Sequence, residues 1–285
     1  MARLKQILDR FYSEYDFRDR ILHDPIEFPH RYKRVEDIEV TSFLASCFAY
    51  GRVDLFRQVI EKIIEKMGCS PYEFLSGFRP KRHGKLFSGI RYRFNRNEDI
   101  VCLLNSICHL LKRYGSVEQA FKSFYEDEHN NTGNALTGFV DYLLSIDTRE
   151  VYGRNIRPDG LVQFFPFPVK GSACKRMNLF LRWMIRDRDI DFGIWKGIPK
   201  SKLIIPLDTH IARISRCLGF TFRRSDDWKT AVEITDSLKK LDPEDPLKYD
   251  FAICHYGITG LCNPKTGIKG DNCKRCIFKP HLSDR

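Results

Sequence analysis

A lysine and an aspartate that lie 33 residues apart are the residues of this chain best suited to nucleophilic catalysis. Lys175 follows Gly171 where an apolar periodicity begins, which predicts a helix capped by Ser172 with Lys175 in its first turn. The dipole at that end of a helix opposes a positive charge, so we expect it to lower the pKa of Lys175. Asp208 stands where a second helix begins, and either Asp208 or Thr209 is expected to cap it. Taken singly, a lysine in such a place is usually an exposed residue on a solvated turn, and a capping aspartate is usually only a cap.

The segment around Asp208, residues 207–219 (LDTHIARISRCLG), resembles the aspartate-bearing segment of the helix-hairpin-helix DNA glycosylases related to endonuclease III. In those enzymes a G-x-G-x-K hairpin opens the preceding helix, and residues 171–175 (GSACK) match its place and its glycine-to-lysine spacing. Ala173 replaces the second glycine, residues 167–170 (FPVK) replace the usual leucine-proline lead-in, and the loop between the two helices is longer. The archaeal 8-oxoguanine glycosylases share such an irregular hairpin and long loop and are the nearer likeness. The resemblance covers residues 171–276.

The resemblance implies a base-excision DNA glycosylase with AP-lyase activity, which acts on a damaged base such as an oxidised purine in double-stranded DNA. Lys175 would attack C1′ of a flipped-out nucleotide as a neutral amine and form a Schiff base, and β-elimination would then nick the strand. Asp208 would stabilise the positive charge that develops on the sugar and help to deprotonate the lysine. DNA-binding roles are implied for their neighbours Lys170, Gly171, Ser172, Arg176, His210 and Arg213. The chemistry needs no cofactor.

Four cysteines, Cys254, Cys262, Cys273 and Cys276, are crowded near the end of the chain in a pattern typical of a metal site. The other six are dispersed and are expected to be reduced thiols, several of them in the core. In endonuclease III-like enzymes a four-cysteine iron–sulfur site follows a helix that ends in His-x-Gly, and residues 255–257 (HYG) of this chain match that sequence. The match implies that the first three ligands are Cys262, Cys273 and Cys276. The fourth ligand would be Cys254 or His281. A structural zinc ion fits the same residues, and free cysteines left from a lost cluster are the remaining alternative.

The net charge of +11 is unevenly distributed along the chain. Residues 149–224 contain 16 Lys and Arg against 6 Asp and Glu, which is most of the surplus. A basic region of this kind is either a solvated surface or a binding face for a polyanion, and DNA is the partner we expect here. An aromatic run at residues 164–168 (FFPFP), with Trp183 and Trp195, is expected to pack in the core; stacking on a base is the alternative.

Helical periodicity dominates the sequence, which predicts an all-α protein. The resemblance implies a glycosylase-like bundle of two packed helical subdomains with a catalytic cleft between them. The chain is expected to form one unit, in which residues 1–146 are a scaffold, 147–224 carry the catalytic segments and 225–285 are the C-terminal helices and cysteine-rich tail. Helices are predicted at residues 41–50, 53–67, 98–114, 117–125, 134–146, 172–186, 209–218, 227–241 and 246–255. Residues 203–205 are at best a short extended piece.

The N-terminus (MARLKQILDRFYSEY) predicts an amphipathic helix rather than a signal peptide, and no apolar stretch long enough to span a membrane follows it. We therefore expect a cytoplasmic monomer that does not associate with membranes. The sequence contains no phosphate-binding glycine loop, no H-E-x-x-H and no nucleophile elbow. Two alternatives to a glycosylase remain: a non-catalytic, metal-stabilised DNA- or RNA-binding protein, and a structural protein of an RNA-containing assembly.

Overall fold

The computed structural model describes residues 2–258 and 277–278, and this part of the chain is all-α. Residues 2–258 form fourteen α-helices, and the described residues contain no β-strand, only two isolated bridges. The helices are α1 Ala2–Ser13, α2 Val35–Phe48, α3 Val53–Glu65, α4 Pro71–Ser76, α5 Pro80–His83, α6 Asn97–Tyr114, α7 Val117–Lys122, α8 Gly133–Ser145, α9 Arg149–Tyr152, α10 Asp159–Phe164, α11 Lys175–Ile185, α12 Thr209–Leu218, α13 Trp228–Lys239 and α14 Asp250–Ile258. The all-α prediction is therefore confirmed.

Three helix starts differ from the sequence prediction by three residues or more. Helix α14 begins at Asp250 rather than near residue 246. Helix α2 begins at Val35 rather than near residue 41, because Glu36 and Asp37 in its first turn suit the positive end of the helix dipole. Helix α11 begins at Lys175 rather than after Ser172, so the prediction of Ser172 as N-cap was wrong. The N-cap is Cys174, whose φ of 50° lies in the left-handed region and whose side chain does not cap the helix. Lys175 is thus the first residue of α11.

Buried apolar side chains form two clusters. The first contains residues between Ile26 and Leu203 together with Leu247 and Phe251, and its central contact is between α2 and α11. The second joins Leu4 and Leu8 of α1 to apolar residues of α12, α13 and α14. Phe164, Phe165, Trp183 and Trp195 all lie in the first cluster, as the packing interpretation of the aromatic run expects.

Two arginines of α11 are buried and paired with aspartates, which fixes the long loop after this helix. Arg182 donates to Asp191 and to Asp250, the first residue of α14. Arg186 donates to Asp191 at 3.0 Å and to Asp245 at 2.9 Å. Because these guanidinium groups are neutralised internally, part of the positive surplus of residues 149–224 does not reach the surface.

Among the described residues, no helix combines the length and the apolar character that a membrane-spanning segment needs.

Candidate active site

An unusual backbone turn at residues 171–174 leads directly into Lys175, the first residue of α11. Gly171 has a φ of 79°, which ends the short 3-10 helix Pro168–Lys170, and Cys174 has a φ of 50°. A non-glycine residue in this region is strained by about 1–3 kcal/mol and persists only where its surroundings hold it. Here the Cys174 N–H donates to Ser172 Oγ at 3.2 Å, and the buried Cys174 thiol donates to the carbonyls of Pro166 and Ser172. The strained turn therefore has the support that a precisely positioned Lys175 requires.

Asp208 is the N-cap of α12, so the structure selects it over Thr209, the other cap that the sequence allowed. Its Oδ1 accepts hydrogen bonds from the backbone N–H groups of His210 at 2.9 Å and Ile211 at 2.8 Å. These two bonds satisfy otherwise unpaired donors of the first helical turn and fix the orientation of the carboxylate. The second oxygen, Oδ2, is left to face α11.

Lys175 and Asp208 meet. Lys175 Nζ lies 3.4 Å from Asp208 Oδ2, with the lysine side chain 39% exposed and the aspartate side chain 12% exposed. The thiol of Cys254, on α14, donates to the same oxygen at 3.3 Å. Three helices therefore bring an amine, a carboxylate and a thiol to one point.

The pKa of Lys175 is raised, and the expectation of a lowered pKa was wrong. Burial of the amine and its place at a helix N-terminus both oppose the charge, but the Asp208 carboxylate at 3.4 Å outweighs them. The pKa of Asp208 is lowered, because burial is outweighed by Lys175 and by the Ile211 N–H. The pair is an ammonium–carboxylate ion pair at neutral pH.

A cavity of about 800 Å³ opens beside this pair, and its wall contains residues of the first hydrophobic cluster and residues that pack against the second. Leu179 and Phe251 belong to the first cluster, while Ala173 and Cys254 pack against the second. Asp24 and Asp250 also line it. Burial raises the pKa of Asp250 to about 6 despite its pairing with Arg182. The cavity combines an apolar wall with carboxylates and one amine, which is typical of a site for a small polar group.

Of the residues predicted to bind DNA, those before α11 are exposed or partly exposed, whereas Arg176 is buried. Lys170 and Gly171 are exposed on the hairpin, beside the partly exposed Ser172. Arg176 is instead buried, where it donates to the carbonyls of Cys47 and Gln163 and lies 4.9 Å from the Tyr50 ring centroid. Its guanidinium ties α11 to α2 and α10, a structural role that the sequence did not reveal.

His210 and Arg213 of α12 both contact α14. The added Cβ of a side chain at Gly257 would lie 2.7 Å from the His210 Cβ, so α14 approaches the start of α12 as closely as glycine permits. Arg213 donates to the Gly257 carbonyl at 3.4 Å. Of the two, His210 lines the cavity. These contacts fix the distance between α12 and α14, on which the approach of Cys254 to Asp208 depends.

A tight turn that packs on Tyr50, one of the residues lining the cavity, was not predicted from the sequence. Reciprocal backbone hydrogen bonds between Tyr92 and Asn95, at 3.0 and 2.8 Å, close the turn. They place Arg93, with a φ of 49°, and Phe94, 66% exposed, at its tip. The Arg93 guanidinium lies over the rings of Tyr50, which lines the cavity, and of Phe94. The charge of this segment could have drawn attention to the turn, because residues 79–96 contain seven Lys and Arg and no Asp or Glu.

The predicted metal site falls mainly outside the described residues. Cys262, Cys273, Cys276 and His281 are not among them, and Cys254 is the one predicted ligand that is. Within residues 2–258 and 277–278, no three His, Cys, Asp or Glu side chains are grouped as a metal site would require. The metal site stays a prediction.

Metal analysis of the purified full-length protein tests that prediction. We expect zinc or iron bound through Cys262, Cys273 and Cys276, so Cys273→Ser should lower the metal content measured by plasma mass spectrometry. Cys69→Ser is the control, because Cys69 is an exposed free thiol. Metal-free protein whose tail thiols all react freely would contradict the site.

Comparisons with known proteins bear on the family of this chain. No curated protein and no solved structure matches it significantly. No helix-hairpin-helix glycosylase family model matches either, and the model that does match describes a different family, so the assignment to the helix-hairpin-helix glycosylases was wrong. The match covers residues 24–259, which include Lys175, Asp208 and Cys254. The chain belongs to the family described as "Protein of unknown function (DUF2400)".

Proposed function

We propose that this protein is a DNA glycosylase with AP-lyase activity, in which Lys175 is the nucleophile and Asp208 stabilises the transition state. The observation that carries the proposal is the 3.4 Å approach of Lys175 Nζ to Asp208 Oδ2 at the wall of a cavity. A protein that only bound nucleic acid would have no need of an amine and a carboxylate converging there. The two hydrophobic clusters would be its subdomains, and the cavity between them its catalytic cleft.

The proposed reaction begins with the neutral amine of Lys175. The amine attacks C1′ of a flipped-out deoxynucleotide, and the glycosidic bond breaks with its electrons and a proton passing to the departing base. The nitrogen lone pair then forms a double bond to C1′ while the C1′–O4′ bond breaks, and its electrons pass to O4′, which takes up a proton from solvent. The nitrogen keeps one hydrogen, so the product is a protonated Schiff base with C1′. Loss of a C2′ proton and cleavage of the C3′–O bond release the 3′ phosphate and nick the strand.

The ion pair explains how Asp208 would contribute to this reaction. In the free protein its carboxylate stabilises the Lys175 ammonium, which must lose a proton before it attacks. When positive charge develops on the sugar, that charge takes the place of the ammonium in front of a carboxylate that is already oriented by two backbone N–H groups. Because the carboxylate is preorganised, it need not reorient during the step.

The size and lining of the cavity fit a flipped nucleotide. A volume of about 800 Å³ lies within the range of sites that enclose a ligand of this size. The carboxylates of Asp24 and Asp250 favour a base edge rich in N–H donors. An oxidised purine, which carries an additional ring N–H, is the base class we propose, and double-stranded DNA is the partner. The protein would act as a monomer and without a cofactor in the chemical step.

Borohydride trapping tests the proposal. The protein is incubated with duplexes that each carry one lesion, oxidised purines first, and sodium borohydride reduces any Schiff base to a stable protein–DNA adduct. We expect an adduct with at least one duplex and a tryptic peptide modified at Lys175. Tight DNA binding without base release, nicking or adduct on every lesion would instead support a non-catalytic binding protein.

The turn at residues 92–95 supplies a second test, on DNA binding. We expect the double variant Arg93→Gln, Phe94→Ala to weaken binding to lesion duplex about tenfold, because it removes one phosphate contact and one exposed ring that can stack on a base. Binding is measured by fluorescence anisotropy across a salt series, and the slope should fall by about one unit.

Arg113→Gln is the matched control for this variant. Arg113 also lies over two aromatic rings, those of Tyr114 and Tyr142. Arg113 lies in the last turn of the 18-residue helix α6, whose first residue follows closely after the turn at 92–95, so about 24 Å of helix separates Arg113 from that end. An equal loss of affinity in both variants would show that the turn has no special part in binding.

A further inference from the structure

Cys254 lies at the candidate active site and is held there by the packing of α14. One turn before it, Asp250 is paired with the buried Arg182 of α11. One turn after it, Gly257 packs so closely on His210 that a larger side chain does not fit. Between these two anchors the Cys254 thiol donates to Asp208 Oδ2 at 3.3 Å. The contact is therefore fixed by α11 and α12 on either side.

The hydrogen bonds of Asp208 show what this thiol contributes. Oδ1 accepts from two backbone N–H groups, while Oδ2 accepts from the thiol of Cys254 and faces the ammonium of Lys175. Once the nitrogen of Lys175 is bonded to C1′, it is no longer a free ammonium group that pairs with Asp208 Oδ2. Among the described residues, the Cys254 thiol is then the hydrogen-bond donor left to that oxygen. Because the thiol is uncharged, it does not compete with the positive charge on the sugar for the carboxylate.

We propose that Cys254 is a positioning residue of the Lys175–Asp208 site, whose S–H holds Asp208 Oδ2 in place while Lys175 reacts. This inference rests on the proposed function. It also separates Cys254 from the predicted metal site, because a metal-bound cysteine is a thiolate and has no proton to donate. The metal ligands of the tail would then come from the residues after 258.

Two substitutions separate a hydrogen-bonding role from simple packing. Cys254→Ala removes the donor, and Cys254→Ser keeps a donor on a side chain of similar size. With the duplex that gives the strongest borohydride adduct, we expect Cys254→Ala to lower the single-turnover rate about tenfold and to leave the Kd for DNA unchanged. Cys254→Ser should restore the rate to within about threefold of wild type. Cys102→Ala is the control, since it removes a buried thiol from the first hydrophobic cluster.

The outcomes are distinguishable. A Cys254→Ala variant as fast as wild type, or a Cys254→Ser variant as slow as Cys254→Ala, overturns the positioning role. Equal slowing by Cys102→Ala assigns the effect to packing and overturns it as well. Metal content in Cys254→Ser is measured in parallel: content equal to wild type supports the assignment, and a loss returns Cys254 to the metal site. If wild-type protein forms no adduct with any lesion, the proposed function fails and this inference falls with it.

Discussion

Lys175→Gln is expected to abolish base release, strand nicking and borohydride trapping while it leaves most of the DNA affinity intact. Glutamine has no nucleophilic amine, so the Schiff base cannot form. We expect a loss of at least about 1,000-fold in the single-turnover rate, the scale seen when the nucleophile of a covalent mechanism is removed. Affinity should change little, because one lysine carries a small share of the total phosphate contacts.

Lys170→Gln is the matched control for this prediction. Lys170 is exposed on the same hairpin, five residues before Lys175, and its substitution removes the same charge. We expect it to retain trapping and turnover and to reduce the salt dependence of binding by about one unit or less. Turnover of Lys175→Gln at the rate of Lys170→Gln would exclude Lys175 as the nucleophile. Base release without nicking would indicate a monofunctional glycosylase, in which Asp208 activates water.

Asp208→Asn is expected to lower the maximal rate about 100-fold and to change its dependence on pH. The loss reflects the missing negative charge opposite the developing positive charge on the sugar. In wild type, Asp208 holds the pKa of Lys175 above its usual value, so the free amine is scarce at neutral pH. The wild-type single-turnover rate should therefore rise about tenfold per pH unit between pH 6 and pH 9.

Without the carboxylate the pKa of Lys175 falls, because the burial that opposes its charge is no longer outweighed. The rate of Asp208→Asn should consequently level off at a lower pH than that of wild type. Single-turnover rates measured on one duplex from pH 6 to pH 10 test both parts. Parallel profiles, with the same loss at every pH, would show that Asp208 does not control the ionisation of Lys175.

Asp227→Asn controls for the loss of a helix cap. Asp227 caps α13 with nearly the same backbone angles as Asp208 and accepts from the Thr230 N–H at 2.9 Å. Asparagine is itself a good cap, so both variants should lose about 0.5 kcal/mol of unfolding free energy or less. Only Asp208→Asn should lose turnover. Equal losses of activity would mean that the substitution at Asp208 acts through stability.

The sequence by itself determined the longer helices and the local position of Lys175 and of Asp208, each at the start of a helix. Apolar residues that recur every three or four positions predict a helix wherever one face is buried, and α12 begins and ends where the pattern predicts. Asp208 as a cap and Lys175 in a first turn are likewise properties of a few consecutive residues. The start of α11 was misplaced because the left-handed Cys174 is held by contacts to Pro166 and Ser172, and residue type alone does not reveal such contacts.

Only the tertiary structure decided how these residues act on one another. The meeting of Lys175 with Asp208, the arrival of Cys254 from α14 and the burial of Arg176, Arg182 and Arg186 all join positions far apart in the chain. The direction of the Lys175 pKa shift depended on this, because the helix dipole is a local effect and Asp208 is a distant residue brought within 3.4 Å. Charge interactions fall off over a few ångströms in space, not along the sequence, so a lysine's ionisation follows from its folded neighbours.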